Sequence, residues 1–81
     1  MDSEKVIKVN ARGLSNPGPR LMVETALEKG PCKLMRVIVS SQEAVSDLEL
    51  YFKSHNARVD IDRVGEEYHI LADFPASAKN T

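Results

Sequence analysis

Between Gly13 and Pro19 the chain reads Gly-Leu-Ser-Asn-Pro-Gly-Pro, a segment suited to starting a helix and leaving its N-terminus open. Asn is a strong N-cap residue, so Asn16 is expected to accept a hydrogen bond from an amide just inside the helix. Pro17 then falls at the first helical position, where its missing N–H costs nothing. Pro19 is still in the first turn, whose amides have no intrahelical partner. Gly18 is expected to keep the turn slim enough for a partner's backbone or a ligand to come close. A cysteine at the place of Asn16 would be an activated thiolate; an amide is neither acidic nor nucleophilic. Arg12 and Arg20 flank this helix start. They read either as solvated surface arginines or as a weak anion site or docking point for an acidic partner, favoured by the helix dipole. Pro17 and Pro19 remove two of the amides that would hold an anion.

Cys32 is the chain's only cysteine, so no intrachain disulfide can form. It reads as a small, partly buried apolar residue. The other reading is a reactive thiol assisted by Lys29 and Lys33. A helix of some twelve residues at about 1.5 Å each would put it roughly 18 Å from Asn16. No Cys/His cluster has metal-ligand spacing, and neither metal nor cofactor is expected. His55 reads as a helix C-terminal residue and His69 as an outer-face strand residue. Glu66-Glu67 reads as an acidic turn, and the serines have no nucleophile-elbow context. No catalytic residue is assigned.

The chain has 81 residues, 42% of them hydrophobic and 28% charged, with a net charge of −1. That suits one soluble globular domain, expected over residues 1–75 with a disordered tail over 76–81. The near-neutral charge gives no electrostatic case for nucleic acid or an anionic membrane. The first residues lack a basic and an apolar region, so no signal peptide is expected, and no apolar run could span a bilayer. A reducing cytoplasmic location follows as the default.

Apolar periodicity supplies the elements that must position these residues. Residues 5–11 alternate, with Ile7, Val9 and Ala11 inward. A helix over residues 17–28 is expected to turn Leu21, Met22, Thr25 and Ala26 inward, with Leu27 near the edge, and to stop at Gly30-Pro31. Residues 33–40 are nearly continuously apolar, as in a central strand. Ser41 is expected to cap a second helix whose apolar face is Ala44, Val45, Leu48, Tyr51 and Phe52. Residues 57–64 and 68–74 alternate around Gly65-Glu66, a hairpin. The order β-α-β-α-β-β implies a two-layer α/β (α+β) sandwich. The first two strands are parallel through a right-handed crossover, and both helices cover one face of a four-stranded mixed sheet. The other face, with Lys8, Arg36, Arg58 and Asp60, is expected to be open. It mixes charges of both signs and lacks stacking aromatics, which argues against single-strand nucleic-acid binding.

The segment Gly13 to Pro19 resembles the Gly-Leu-x-Cys-Pro-x-Pro signature of the TusA/SirA-like sulfur-carrier family. Val9-Asn10-Ala11-Arg12-Gly13-Leu14 is similar to that family's Val-Asp-x-Arg-Gly-Leu lead-in, and the resemblance extends through residues 21–27, 33–39 and 41–48. It implies the same β-α-β-α-β-β fold and a persulfide carried on the motif cysteine. Two positions depart from the pattern: Asn16 stands where the cysteine would be, and Asn10 where an aspartate is usual. The resemblance therefore implies a degenerate carrier acting as a binding or regulatory module in sulfur or selenium metabolism. Its contacts would be Arg12, Leu14, Asn16, Pro17, Gly18, Pro19 and Arg20, and its partner a cysteine desulfurase or a sulfur acceptor. The alternatives are an active relay through Cys32 and a small anion- or RNA-binding module.

Overall fold

The computed structural model describes residues 6–30 and 32–75. Strand β1 spans Val6–Asn10, helix α1 Gly18–Glu28, β2 Leu34–Val39, α2 Gln42–Ser54, β3 Arg58–Val64 and β4 Glu67–Asp73. This is the expected element order. Pro31 and the tail expected over 76–81 lie outside the described residues.

The four strands form one mixed sheet in the order β1-β2-β4-β3. β1 runs parallel to β2, with Val6 opposite Leu34 and Asn10 opposite Ile38. β4 is antiparallel to both β2 and β3. The hairpin strand β4 thus sits inside the sheet and β3 on its edge. Chemistry explains the choice: β4 carries the run Ile70-Leu71-Ala72, whereas β3 alternates its apolar residues with Arg58, Asp60 and Asp62, and charges suit an edge. Between the two, Gly65 turns the chain at φ 64°, a conformation glycine adopts without strain.

Both helices cover one face. Val9, Met35, Val37, Val39, Ile70 and Ala72 of the sheet are buried against Val23 of α1 and Ala44, Val45, Leu48 and Phe52 of α2. Phe52 meets Phe74 edge-on, ring centroids 5.8 Å apart, an arrangement the ring quadrupoles favour. Ser41 caps α2 as expected, its side chain accepting from the Ala44 amide at 3.2 Å. At the other end the His55 ring lies 2.9 Å from the Tyr51 carbonyl oxygen, the helix C-terminal place expected for it.

Helix α1 departs from expectation in its rotation. Its buried residues are Pro19 and Val23, and Ala26 and Leu27 pack partly against the core. Leu21 and Met22 remain 52% and 40% exposed, and Thr25 is also exposed. The cause is the buried Pro19. Once it anchors the first turn in the core, helical spacing carries Val23, Ala26 and Leu27 inward and rotates Leu21 and Met22 away. Equivalent truncations should separate the two environments. Leu48→Ala, fully buried, should cost about 2–5 kcal/mol of unfolding free energy. Leu21→Ala should stay within about 0.5 kcal/mol. Urea denaturation of both variants measures this.

Candidate functional site

The segment Arg12 to Arg20 leaves the carboxyl end of β1 and enters α1, and neighbouring strand ends supply its supports. Ser40 directly follows β2, and Glu67 opens β4 beside it. The Asn10 side-chain oxygen accepts from the Arg12 amide at 3.2 Å, a local turn typical of Asn. Gly13 takes φ 76°, where a side chain would be strained. Its amide donates to Ser40 Oγ at 3.0 Å. The Leu14 amide donates to the Ala11 carbonyl at 3.3 Å and the Gly18 amide to the Ser15 carbonyl at 2.7 Å. Ser15, Asn16 and Pro17 form the exposed tip.

Asn16 does not cap α1. The helix begins one residue later than expected, with Pro17 in the capping position, a cis Asn16-Pro17 peptide bond and no side-chain cap. The hydrogen-bond inventory gives the reason. A cap at residue 16 would accept from residues 18 or 19, but the Gly18 amide already donates to Ser15 and Pro19 has no N–H. Gly18 is also not an open approach for a partner. A Cβ there would lie 3.2 Å from Leu14 Cβ, so the glycine makes room for the loop's own leucine. Pro19 is buried and contributes to the site through shape, not through contact.

The two flanking arginines each have an acidic neighbour. Arg12 Nε donates to Glu67 Oε2. This hydrogen bond, with the attraction of opposite charges, raises the Arg12 guanidinium and holds the Glu67 carboxyl below its usual range. The depression of Glu67 is partly opposed by desolvation and supported by His69, 3.7 Å away. Arg20 Nε lies 3.5 Å from Asp47 Oδ2 on α2, an ion pair without hydrogen-bond geometry. Both arginines therefore face carboxylates, and Pro17, Gly18 and Pro19 offer no amide to a ligand. This is a poor anion cradle. Sequence reasoning does not single out Ser40, and it places Glu67 in an acidic turn, whereas Glu67 is the first residue of β4. A small hydroxyl at the carboxyl end of a central strand, beside a glycine-containing loop, is the signal that marks Ser40; nothing local marks Glu67.

Cys32 sits at the other end of the layer, before β2 begins. The 11 residues of α1 span roughly 16 Å between it and the loop. It is 9% exposed, and its Sγ is 3.1 Å from the Leu34 carbonyl oxygen, to which the thiol donates. Lys29 is exposed and Lys33 half-buried nearby. The structure does not bring Cys32 together with Asn16. Among the described residues no group of three or more His, Cys, Asp or Glu is placed to hold a metal.

Two predictions come from this geometry. Asn16→Ala should change the unfolding free energy by less than about 0.5 kcal/mol, whereas Ser41→Ala should cost about 1 kcal/mol; chemical denaturation compares them. Because the folded Glu67 carboxyl is depressed, its pairing stabilises the fold above the ordinary glutamate range. That contribution disappears as pH falls through the depressed value. The wild type should therefore be more stable than Glu67→Gln at neutral pH, and the gap should close in acid, read as thermal midpoints across a pH series.

The family described as "Sulfurtransferase TusA" matches residues 7–80. No curated protein matches the chain. Among solved structures, a SirA-like protein from Desulfitobacterium hafniense superimposes with a TM-score of 0.74 at 14% sequence identity, covering 83% of this chain and 95% of that one. At that identity the superposition speaks for the fold. The match over residues 7–80 speaks for descent, and by it the chain belongs to the TusA family, small proteins of the sulfur-carrier type that work in sulfur relay with protein partners.

Proposed function

We propose that this chain is a TusA-type scaffold that docks sulfur-relay proteins through its motif loop and does not carry sulfur there. The observation that carries the reading is the loop tip. Ser15, Asn16 and Pro17 are exposed, and Asn16, at the place of the family's cysteine, makes no capping bond. Its amide faces a partner as a neutral hydrogen-bonding group where a thiolate would be charged and nucleophilic. Leu14, 41% exposed, adds an apolar contact beside it, and Arg12 a cation whose charge Glu67 largely offsets. A cysteine desulfurase or a downstream sulfur acceptor is the partner this surface suits, in the sulfur or selenium branch of metabolism. The chain would occupy the partner's carrier site without completing the transfer.

The burial of Cys32 supports the same reading. A thiol this covered meets attacking or accepting sulfur poorly. A cytoplasmic setting accompanies the proposal, and among the described residues no helix is long and apolar enough to cross a membrane.

The test is intact mass after incubation with a cysteine desulfurase and cysteine, run on the wild type, Cys32→Ala and Asn16→Cys. The wild type should stay unmodified and Asn16→Cys should gain the mass of one sulfur atom as a persulfide. A wild type that gains sulfur, and loses the gain in Cys32→Ala, overturns the proposal in favour of relay through Cys32. An Asn16→Cys variant that folds but stays unmodified shows that the loop is not presented to the desulfurase.

A further inference from the structure

A second surface lies on the opposite flank of α1, independent of the motif loop. Among the described residues β1 pairs only with β2, and none of them covers its outer edge. The Ala11 amide donates inward to the Ile38 carbonyl at 2.9 Å. Backbone alternation along a strand then turns the N–H and C=O groups of Ile7 and Val9 toward β2, and those of Val6, Lys8 and Asn10 outward. Beside this edge runs a groove of about 780 Å³ between β1 and α1. Its helix wall is Leu21, Met22, Thr25 and Ala26, the stripe that the buried Pro19 rotates away from the core. Val6, Leu21 and Met22 are 57%, 52% and 40% exposed. Among the described residues, three of the seven exposed large apolar side chains thus lie along one unpaired strand edge.

Such a combination marks a place where an extended segment adds to the sheet. Edge hydrogen bonds would hold it, and alternate side chains would fill the apolar groove. The charges select the occupant. Among the described residues, the charged ones lining the groove are Lys8 and Lys29. A second copy related by a two-fold axis would pair β1 antiparallel with its own equivalent and crowd the lysines of both copies together, and like charges opposite one another destabilise a strand pair. An acidic occupant meets no such opposition.

We propose that the outer edge of β1 receives an extended segment of a partner protein as a fifth strand. That segment has apolar side chains toward Leu21 and Met22 and carboxylates on the alternate positions that face Lys8. The surface does not depend on how Asn16 is read, and the two tests fail separately.

The probe is a short, end-capped, fluorescently labelled peptide of alternating valine and glutamate, compared with one in which lysine replaces glutamate. Binding is followed by fluorescence anisotropy. The glutamate peptide should bind saturably and the lysine peptide should not, and added salt should weaken the binding. Lys8→Pro removes an outward amide and a charge while sparing the ladder to β2. It should weaken binding at least about tenfold. Met22→Glu should do the same without touching the backbone, and keeps the test valid if Lys8→Pro does not fold. Leu50→Glu, on the exposed side of α2, should leave binding unchanged. Equal binding of the two peptides, no binding of either, or binding indifferent to Met22→Glu overturns the proposal. So does a dimer in sedimentation that Met22→Glu abolishes, since a second copy would then own the edge.

Discussion

Parallel pairing of β1 with β2 constrains everything else in this molecule. Two parallel strands cannot be joined by a tight turn, so the chain must leave the carboxyl end of β1, travel back along the sheet and re-enter at the start of β2. Helix α1 is that return path. Its start is therefore fixed beside the ends of β1 and β2, where Ser40 reaches the Gly13 amide and Glu67 reaches Arg12. Its far end is fixed beside Cys32. The separation of the motif loop from the chain's only thiol is a consequence of topology and does not depend on any side chain between them.

The sequence was legible where two independent signals agreed. Ser41 before the periodic run Ala44, Val45, Leu48 and Phe52 marked both the start and the face of α2. The alternation of β3 and β4 around Gly65 marked the hairpin. Sequence reasoning failed on α1, where two apolar stripes compete, Leu21-Met22-Thr25-Ala26 and Pro19-Val23-Ala26-Leu27. Residue type favours the first, because a proline is seldom counted as core. Tertiary packing chose the second, and propensity arguments carry no information about which proline will be buried. The position of β4 between β2 and β3 was likewise not read, although the charges of β3 mark it as an edge. At the loop, Asn16 was assigned a role by residue type, whereas the deciding facts were that the Gly18 amide was already committed and Pro19 had none to give.

Backbone shape, more than side-chain bonding, fixes the loop. The glycine, leucine and prolines act on backbone shape: a left-handed turn at Gly13, a tight contact at Gly18, a buried anchor at Pro19. These contacts set the shape of the loop without drawing on residue 16, whose side chain makes no capping bond.

Leu14 of the loop occupies the space beside Gly18, the first residue of α1. Leu14 Cβ lies 3.2 Å from where a residue-18 side chain would begin, closer than ordinary van der Waals contact. Every residue but glycine carries that Cβ, so shortening the side chain at 14 would not make room at 18; the loop itself would have to give way.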